Sequence, residues 1–357
     1  VTLIAPGNYT AKSISYRSIP QIILDNDPLG LDDKFSEFTK SAFDENYVRT
    51  YSIARKVAVQ HYVPIYNLYE KIAKEINVDL FFCDYLMNHP CFDLAWKLGK
   101  PAVGSSTDHS YLPQPPYTAD LIFGFGCHAN MENEPFYNRF GCAIIVPLIK
   151  AWKIKDHIKD INAQRALVGV DPYWDERGRV LSLLMLANTF FGYEIPRADT
   201  PLRQEIGPVL PDVFPGLTPE YESFLATHPR TLFFALGTNV IISPQNVITL
   251  LKSFLELIKQ DVIDGVVWST GKTDVSDSFQ LANSSSLIFD TLNNEHPHIH
   301  ISKFSPQFAI LSHENTKVFL SHGGAASNYE AMYTATPILV LPIMGDQPRN
   351  AEKLELA

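Results

Sequence analysis

No stretch of the 357 residues is long and apolar enough to suggest a membrane-spanning helix. The longest candidate, Val180 to Tyr193, is interrupted by Ser182, Asn188 and Thr189. It falls short of the ~20 apolar residues a bilayer requires and is expected as a buried strand. Basic residues are in deficit. The 29 Lys and Arg stand against 39 Asp and Glu, a formal net charge of −10. A basic face for phosphate backbones is therefore not expected, nor is a nucleic-acid partner. Cysteine is scarce: Cys83, Cys91, Cys127 and Cys142 form no CxxC pair, which removes zinc-ribbon and thioredoxin-like chemistry. Two readings of the thiols remain. They are four reduced, mostly buried side chains, or Cys127 and Cys142 form a bridge that requires an oxidising compartment. Short-period repeats and low-complexity tracts are absent, so a repeat architecture is not expected.

What is present is ordinary globular material, 46% hydrophobic and 19% charged. Strand-like and helix-like segments alternate, the pattern of an α/β protein with parallel sheets. In the first half, apolar runs fall near Val1–Ala5, Gln21–Leu24, Val78–Cys83, Pro101–Val103 and Val180–Leu186, with helical patterns at Thr50 to Ile76 and Pro90 to Leu98. The segment from Ser110 to Arg179 is less regular and rich in Phe, Tyr and Trp. A cleaner alternation begins at Thr231. Ser243-Pro244 opens a helix whose Val247, Leu250, Leu251, Phe254 and Ile258 form one apolar stripe. Strands are expected at Gly265–Trp268, Ile299–Ser302, Lys317–Leu320 and Ile338–Leu341.

Between the halves, Glu194 to Pro219 holds six prolines and sustains neither a helix nor a central strand. The expected division is an N-terminal domain over 1–205 and a C-terminal domain over 206–357, with ligands bound at the carboxyl ends of the strands. The chain opens inside a strand-like Val1-Thr2-Leu3-Ile4-Ala5 and closes inside a helical pattern begun at Pro348, so further chain is expected beyond both ends.

The segment richest in chemistry runs from Phe304-Ser305-Pro306-Gln307 through His313 to Ser321-His322-Gly323-Gly324-Ala325-Ala326-Ser327-Asn328-Tyr329-Glu330. It closes on Pro337 and Gly345-Asp346-Gln347-Pro348-Arg349-Asn350. A strand over Lys317–Leu320 delivers His322 at its carboxyl end, and a helix starts near Ala325. Free N–H groups at that start make an anion site, and two glycines let a phosphate approach closely. Ser327 adds a hydroxyl there. Glu330, about one turn further on, suits a diol such as ribose. Asp346 and Gln347 offer an acceptor and an amide to sugar hydroxyls.

This segment resembles the C-terminal signature of the family 1 UDP-glycosyltransferases, in a form closer to animal and fungal members than to plant ones. Leu236-Gly237-Thr238, Ile206-Gly207-Pro208 and the unit from Asp79 to Thr107 resemble the family more weakly. The resemblance implies the GT-B fold, two facing Rossmann-like domains with a cleft between them. It implies that Phe304 stacks on uracil in place of the usual Trp, and that Ser305 and Gln307 lie at the base and ribose. Glu330 would bind the ribose, while Thr238, His322, Gly324 and Ser327 hold the diphosphate. Asp346 and Gln347 would hold the transferred sugar, with Thr107 reaching it from the other domain. Asp84 would orient a catalytic His, which the resemblance places in a loop upstream of Val1. None of the eleven His present is a convincing substitute. Ala325-Ala326 departs from the family pattern and forgoes one phosphate donor.

The implied activity is an inverting, metal-independent transfer of a sugar, most often glucose in this family, from a UDP-sugar to an acceptor hydroxyl. No cofactor is expected beyond the UDP-sugar co-substrate. Phe125, Phe136, Tyr137, Phe140 and Trp152 favour a lipophilic acceptor: a phenol, flavonoid or sterol. A UDP-sugar epimerase and a catalytically inactive UDP-sugar binder stay open as alternatives. The resemblance leaves localisation open between a luminal body at the endoplasmic-reticulum membrane, associated through segments absent from this chain, and the cytoplasm. Two patterns are set aside. His296, His298 and His300 read as strand alternation, not metal ligands. Asp25-Asn26-Asp27 reads as a capped turn, because Ser36 stands where a calcium loop needs Glu.

Overall fold

The computed structural model describes residues 1–6, 19–24, 47–86, 88–107, 133–175, 179, 182–195, 200–238, 240–281 and 286–356. The Asp25 turn, Phe125 and Cys127 lie outside them. The chain divides into two compact units, Val1–Phe43 with Leu210–Ala351, and Asp44–Val209 with Glu352–Ala357. The strands at the chain's start, β1 (Leu3–Pro6) and β2 (Gln21–Leu24), pair in parallel and group with the first unit.

The second unit is built on a four-stranded parallel sheet of β3 (Phe81–Asp84), β4 (Ala102–Ser106), β5 (Leu184–Ala187) and β6 (Arg203–Glu205), in that order. Val180 to Tyr193 thus yields a strand of only four residues. β6 lies at the sheet edge, the one place a proline-rich stretch can contribute a strand. Two helices, α1 (Tyr47–Ile76) and α2 (His89–Lys97), meet the sheet through a core that includes Tyr62, Tyr66, Phe81, Phe92, Leu94 and Ile161. The irregular segment holds a helical rod: α3 (Phe136–Phe140), a π-turn (Gly141–Ile145) and α4 (Val146–Leu167).

A charged network crosses this core. Asp93 of α2 is fully buried and accepts from Tyr62 Oη at 2.7 Å, from Arg165 Nε at 2.7 Å and from Arg179 Nη1. Arg179 also stacks over Trp96 and Tyr173. The expectation of four reduced thiols is corrected here. Cys83 at the end of β3 and Cys91 in the first turn of α2 form a disulfide, and Cys142 is disulfide-bonded as well. The eight-residue separation between a strand end and the next helix brings the first pair within bonding reach. The partner expected for Cys142, Cys127, lies outside the described residues.

The second stretch of the first unit opens with α5 (Pro219–Thr227). It carries a five-stranded parallel sheet of β7 (Thr231–Ala235), β8 (Gly265–Ser269), β9 (Ile299–Ser302), β10 (Thr316–Ser321) and β11 (Ile338–Val340), in the order β11-β10-β7-β8-β9. β7 is buried at all five positions, as a central parallel strand covered on both faces must be. α6 (Pro244–Lys259) sets Val247, Ile248, Leu251 and Phe254 against one face, together with Phe234 and Trp268. Its start is fixed by Pro244 and by Ser243, whose side chain accepts the N–H of Asn246. On the opposite face α5 packs Tyr221 and Leu225 with Phe233 and Phe319. Three shorter helices follow in this unit, α7 (Ser286–Leu292), α8 (Gln307–Leu311) and α9 (Ala325–Tyr333), and a terminal one, α10 (Gln347–Leu356), begins in it and runs on into the residues from Glu352 that group with the second unit.

Candidate functional site

Strand order locates the site. In the five-stranded sheet the chain runs outward from β7 through β8 to β9, then returns to the other side of β7 to form β10 and β11. The winding therefore reverses between β7 and β10, and ligands of open parallel sheets bind at that reversal, beyond the carboxyl ends of the strands. The residues there are Gly237 and Thr238 after β7, His322 and Gly323 after β10, and the start of α9 at Ala325.

His322 packs against two glycines. A Cβ on Gly237 would lie 2.7 Å from its Nε2, and a Cβ on Gly324 would overlap the same atom. Burial pushes its pKa down to about 4, so the ring is neutral near pH 7. Its Nδ1 is buried and makes no hydrogen bond within the described protein. The turn behind it is locked. Gly323 adopts a positive φ of 82°, its N–H donates to Ser321 Oγ at 3.1 Å, and its carbonyl accepts from Asn328 Nδ2 and Asn350 Nδ2 at 3.2 and 3.0 Å. The two asparagines hold the glycine turn from opposite ends of the motif.

α8 and α9 join through Gln307, whose Nε2 donates to Glu330 Oε2 at 2.8 Å and Ser327 Oγ at 3.2 Å. Burial raises the Glu330 pKa, and the Gln307 bond opposes that rise. Ser305 uses its hydroxyl internally, accepting from Tyr221 Oη at 3.0 Å and lying 2.8 Å from Ser302 Oγ. Phe304 is 60% exposed, an open aromatic face at the end of β9. Thr238 is exposed as well.

Asp346 accepts from Asn350 Nδ2 at 2.7 Å. Gln347 is buried, and its Oε1 accepts the N–H groups of Ile343 and Met344, both at 2.8 Å. Its carbonyl end is therefore committed to shaping the loop before α10, which leaves the amide nitrogen for other partners.

In the other unit Asp84 ends β3. Its Oδ1 accepts the N–H of Leu86 at 2.7 Å, a local turn and not a cap on α2. Although the side chain reaches solvent, desolvation by the chain around it raises its pKa. The Cys83–Cys91 bridge ties this strand end to α2. Thr107 stands exposed just past β4. Phe136, Tyr137, Phe140 and Trp152, expected to favour an acceptor pocket, are exposed along the α3–α4 rod.

Sequence reasoning missed the inward roles of Asn328 and Asn350 and the disulfide beside Asp84. A Cys at a strand end followed by one in the next helix's first turn was the available signal. The three spaced histidines sit at the sheet's β9 edge, where His298 Nδ1 lies 3.1 Å from His228 Nε2 and His300 Nδ1 lies 3.7 Å from Glu220 Oε1. Among the described residues no group of three or more His, Cys, Asp or Glu could hold a metal ion.

Comparison with known proteins bears on family and fold. Residues 183–357 match the model of the family described as UDP-glucoronosyl and UDP-glucosyl transferase. UDP-glycosyltransferase 1 of Phaeomoniella chlamydospora is 33% identical over 81% of this chain and 58% of its own length. UDP-glycosyltransferase of Talaromyces amestolkiae is 35% identical over 57% and 40%. The chain thus spans about half the length of these curated relatives. Among solved structures, the glycotransferase of kitacinnamycin superposes with a TM-score of 0.60 at 18% identity, covering 99% of this chain and 76% of that one. Phytolacca americana UGT2, complexed with UDP-2fluoro-glucose and pterostilbene, gives 0.57 at 16% identity over 100% and 76%. At such identities these likenesses speak for the fold alone, which is GT-B. Residues 183–357, which hold the glycine turn, His322 and the Gln307–Glu330 pair, thus belong to the family described as UDP-glucoronosyl and UDP-glucosyl transferase.

Proposed function

We propose that the protein transfers a sugar, glucose in the first instance, from a UDP-sugar to a hydroxyl of a lipophilic small molecule with inversion at C1. The observation that carries this reading is the anion-ready corner at the β7–β10 reversal. There a neutral His322 with an unpartnered Nδ1, two glycines and the N-terminus of α9 converge. A diphosphate would supply the missing partner to Nδ1 and accept the free N–H groups of the helix start. Glu330, steadied by Gln307, would take the ribose diol, and Phe304 would stack on the base. Asp346 and the amide nitrogen of Gln347 would meet the sugar hydroxyls, and Ser305, Ser327 and Thr238 would complete the donor contacts.

In the proposed reaction the acceptor oxygen attacks C1, the bond from C1 to the β-phosphate oxygen breaks, and UDP leaves with the electron pair. The acceptor proton passes to a base oriented by Asp84. Helix N–H groups and His322 would stabilise the charge growing on the diphosphate without a divalent cation. The related UGT2 structure, held with UDP-2fluoro-glucose, supports the choice of donor.

The test is UDP release from UDP-glucose with a phenolic acceptor in excess chelator, alongside UDP calorimetry. Glu330→Ala is expected to weaken UDP binding by about tenfold or more through loss of charge-assisted hydrogen bonds. Unchanged UDP affinity contradicts the ribose role. UDP bound but never released from UDP-glucose identifies a binder, and sugar inversion without acceptor identifies an epimerase.

A further inference from the structure

A buried hydroxyl reaches the segment that carries Phe304 from the protein interior. Tyr221 of α5 is only 5% exposed, and its ring meets the His300 ring edge-on, with 5.0 Å between centroids. It shares a core cluster with Leu225 of its own helix and with Ile310 and Leu311 of α8. A phenylalanine ring would fill the same space. What sets tyrosine apart is the hydroxyl, and a buried phenol costs free energy unless it finds a partner. Tyr221 Oη donates towards Ser302 Oγ at 2.7 Å and Ser305 Oγ at 3.0 Å, and the two serine oxygens lie 2.8 Å apart.

Those serines bracket Lys303 and Phe304. Ser302 is the last residue of β9, and Ser305 stands just before the Pro306 that opens α8. The neighbouring strand holds the first part of this segment: the carbonyls of Ser302 and Lys303 accept the N–H groups of Thr270 and Gly271, both at 2.9 Å. Pro306 has no N–H with which to hold the other part. There the chain is tied by the Ser305 hydroxyl, and through Tyr221 to α5. Phe304 lies between the two anchors. Its ring is largely exposed, so its place is set by the backbone that carries it and not by packing of its own.

We propose, on the reading of Phe304 as the base-stacking ring, that Tyr221 is a positioning residue for donor binding. Its hydroxyl fixes, through Ser302 and Ser305, the place at which Phe304 meets the pyrimidine. A recognition group must be held to within about 0.5 Å by the packing and hydrogen bonds behind it. Tyr221 supplies both, the packing through its ring and the hydrogen bonds through its Oη.

The experiment is calorimetry of UDP with the 357-residue chain. Tyr221→Phe keeps the ring, removes only the hydroxyl, and is expected to weaken UDP binding about fivefold, the size of one net hydrogen bond. Ser302→Ala with Ser305→Ala should reproduce that loss from the other side of the contact. In a Phe304→Ala background Tyr221→Phe should cost less than about twofold, because the ring it positions is gone. With UDP-glucose as substrate the loss should fall on KM and leave kcat within about twofold. A parent that binds no UDP, or a Phe304→Ala chain that binds it unchanged, overturns the donor-site reading underneath. If those hold but Tyr221→Phe binds UDP as well as the parent, the role of Tyr221 falls alone. It falls as well if Tyr221→Phe costs the same factor with and without Phe304, the mark of a merely structural loss, or if the loss is confined to kcat.

Discussion

His322 is held by what its neighbours lack. Gly237 and Gly324 leave room for an imidazole that any side chain would displace, and the ring's burial keeps it neutral. Gly324 itself has a φ of −63°, which alanine adopts without strain. Gly324→Ala therefore isolates the steric term. It is expected to lower UDP affinity by about tenfold, or 1.4 kcal/mol. In a His322→Ala background the same substitution should cost less than about twofold, because the atom it strikes is gone. Calorimetry on the four proteins decides the matter, and equal losses in both backgrounds would separate Gly324 from the ring. Gln347 teaches the complementary lesson. Its place in the Asp-Gln pair is plain in the sequence, yet its Oε1 turns inward to two backbone N–H groups.

Among the elements, α1, α2 and α4 are pinned together by one carboxylate. Asp93 accepts from Tyr62, Arg165 and Arg179 in a site closed to water. Such a network says little about net stability while intact, but breaking it leaves guanidinium groups buried without a counter-charge. Asp93→Ala is expected to lower unfolding free energy by about 3–5 kcal/mol in urea titrations. Asp93→Asn, which keeps an acceptor, should lose less. A loss under about 1 kcal/mol for the alanine variant would mean that water reaches the site and screens it. Nothing in the local pattern of α2, His89–Lys97, marks Asp93 as inward, because its partners lie 31, 72 and 86 residues away.

Over the whole molecule, two largely buried histidines in different units, His157 and His322, contribute most clearly to the response to acid. Burial pushes His322 down to about 4 and His157 down to about 3, the latter aided by the nearby charges of His89, Arg55 and Arg165. Between those values and the ordinary 6.5 the unfolded chain binds protons that the folded chain refuses. Their contribution to stability is thus complete above pH 6.5 and is lost as pH falls toward 4. Asp84 and Glu330 act in the opposite sense. Their raised pKa values let the folded state hold protons longer, so their contribution falls as pH rises above 3.8 and 4.5. Removing these two histidines should weaken the loss on acidification, although His296 and His300, also pushed down by burial, keep part of it. The variant His157→Gln with His322→Gln is expected to lose less stability than the parent as pH falls from 6.5 to 4. Denaturation midpoints across that range measure it, and parallel profiles would show that neither ring is buried in solution.

Much of this protein is legible in its sequence for a stated physical reason. Hydrophobic alternation and proline placement depend on residues close along the chain, so the α/β pattern, the strand ending at His322 and the helix opening at Ala325 follow from local chemistry. The glycine turn with Ser327 and Glu330 is equally local. Contacts that close across long separations are not. The Cys83–Cys91 bridge, the Asp93 network and the grip of Asn350 on the Gly323 carbonyl required the fold to bring their partners together. The aromatic residues from Phe136 to Trp152 show the difference most plainly. Composition made them apolar, but only the fold decided that Phe136, Tyr137, Phe140 and Trp152 stand exposed along the α3–α4 rod.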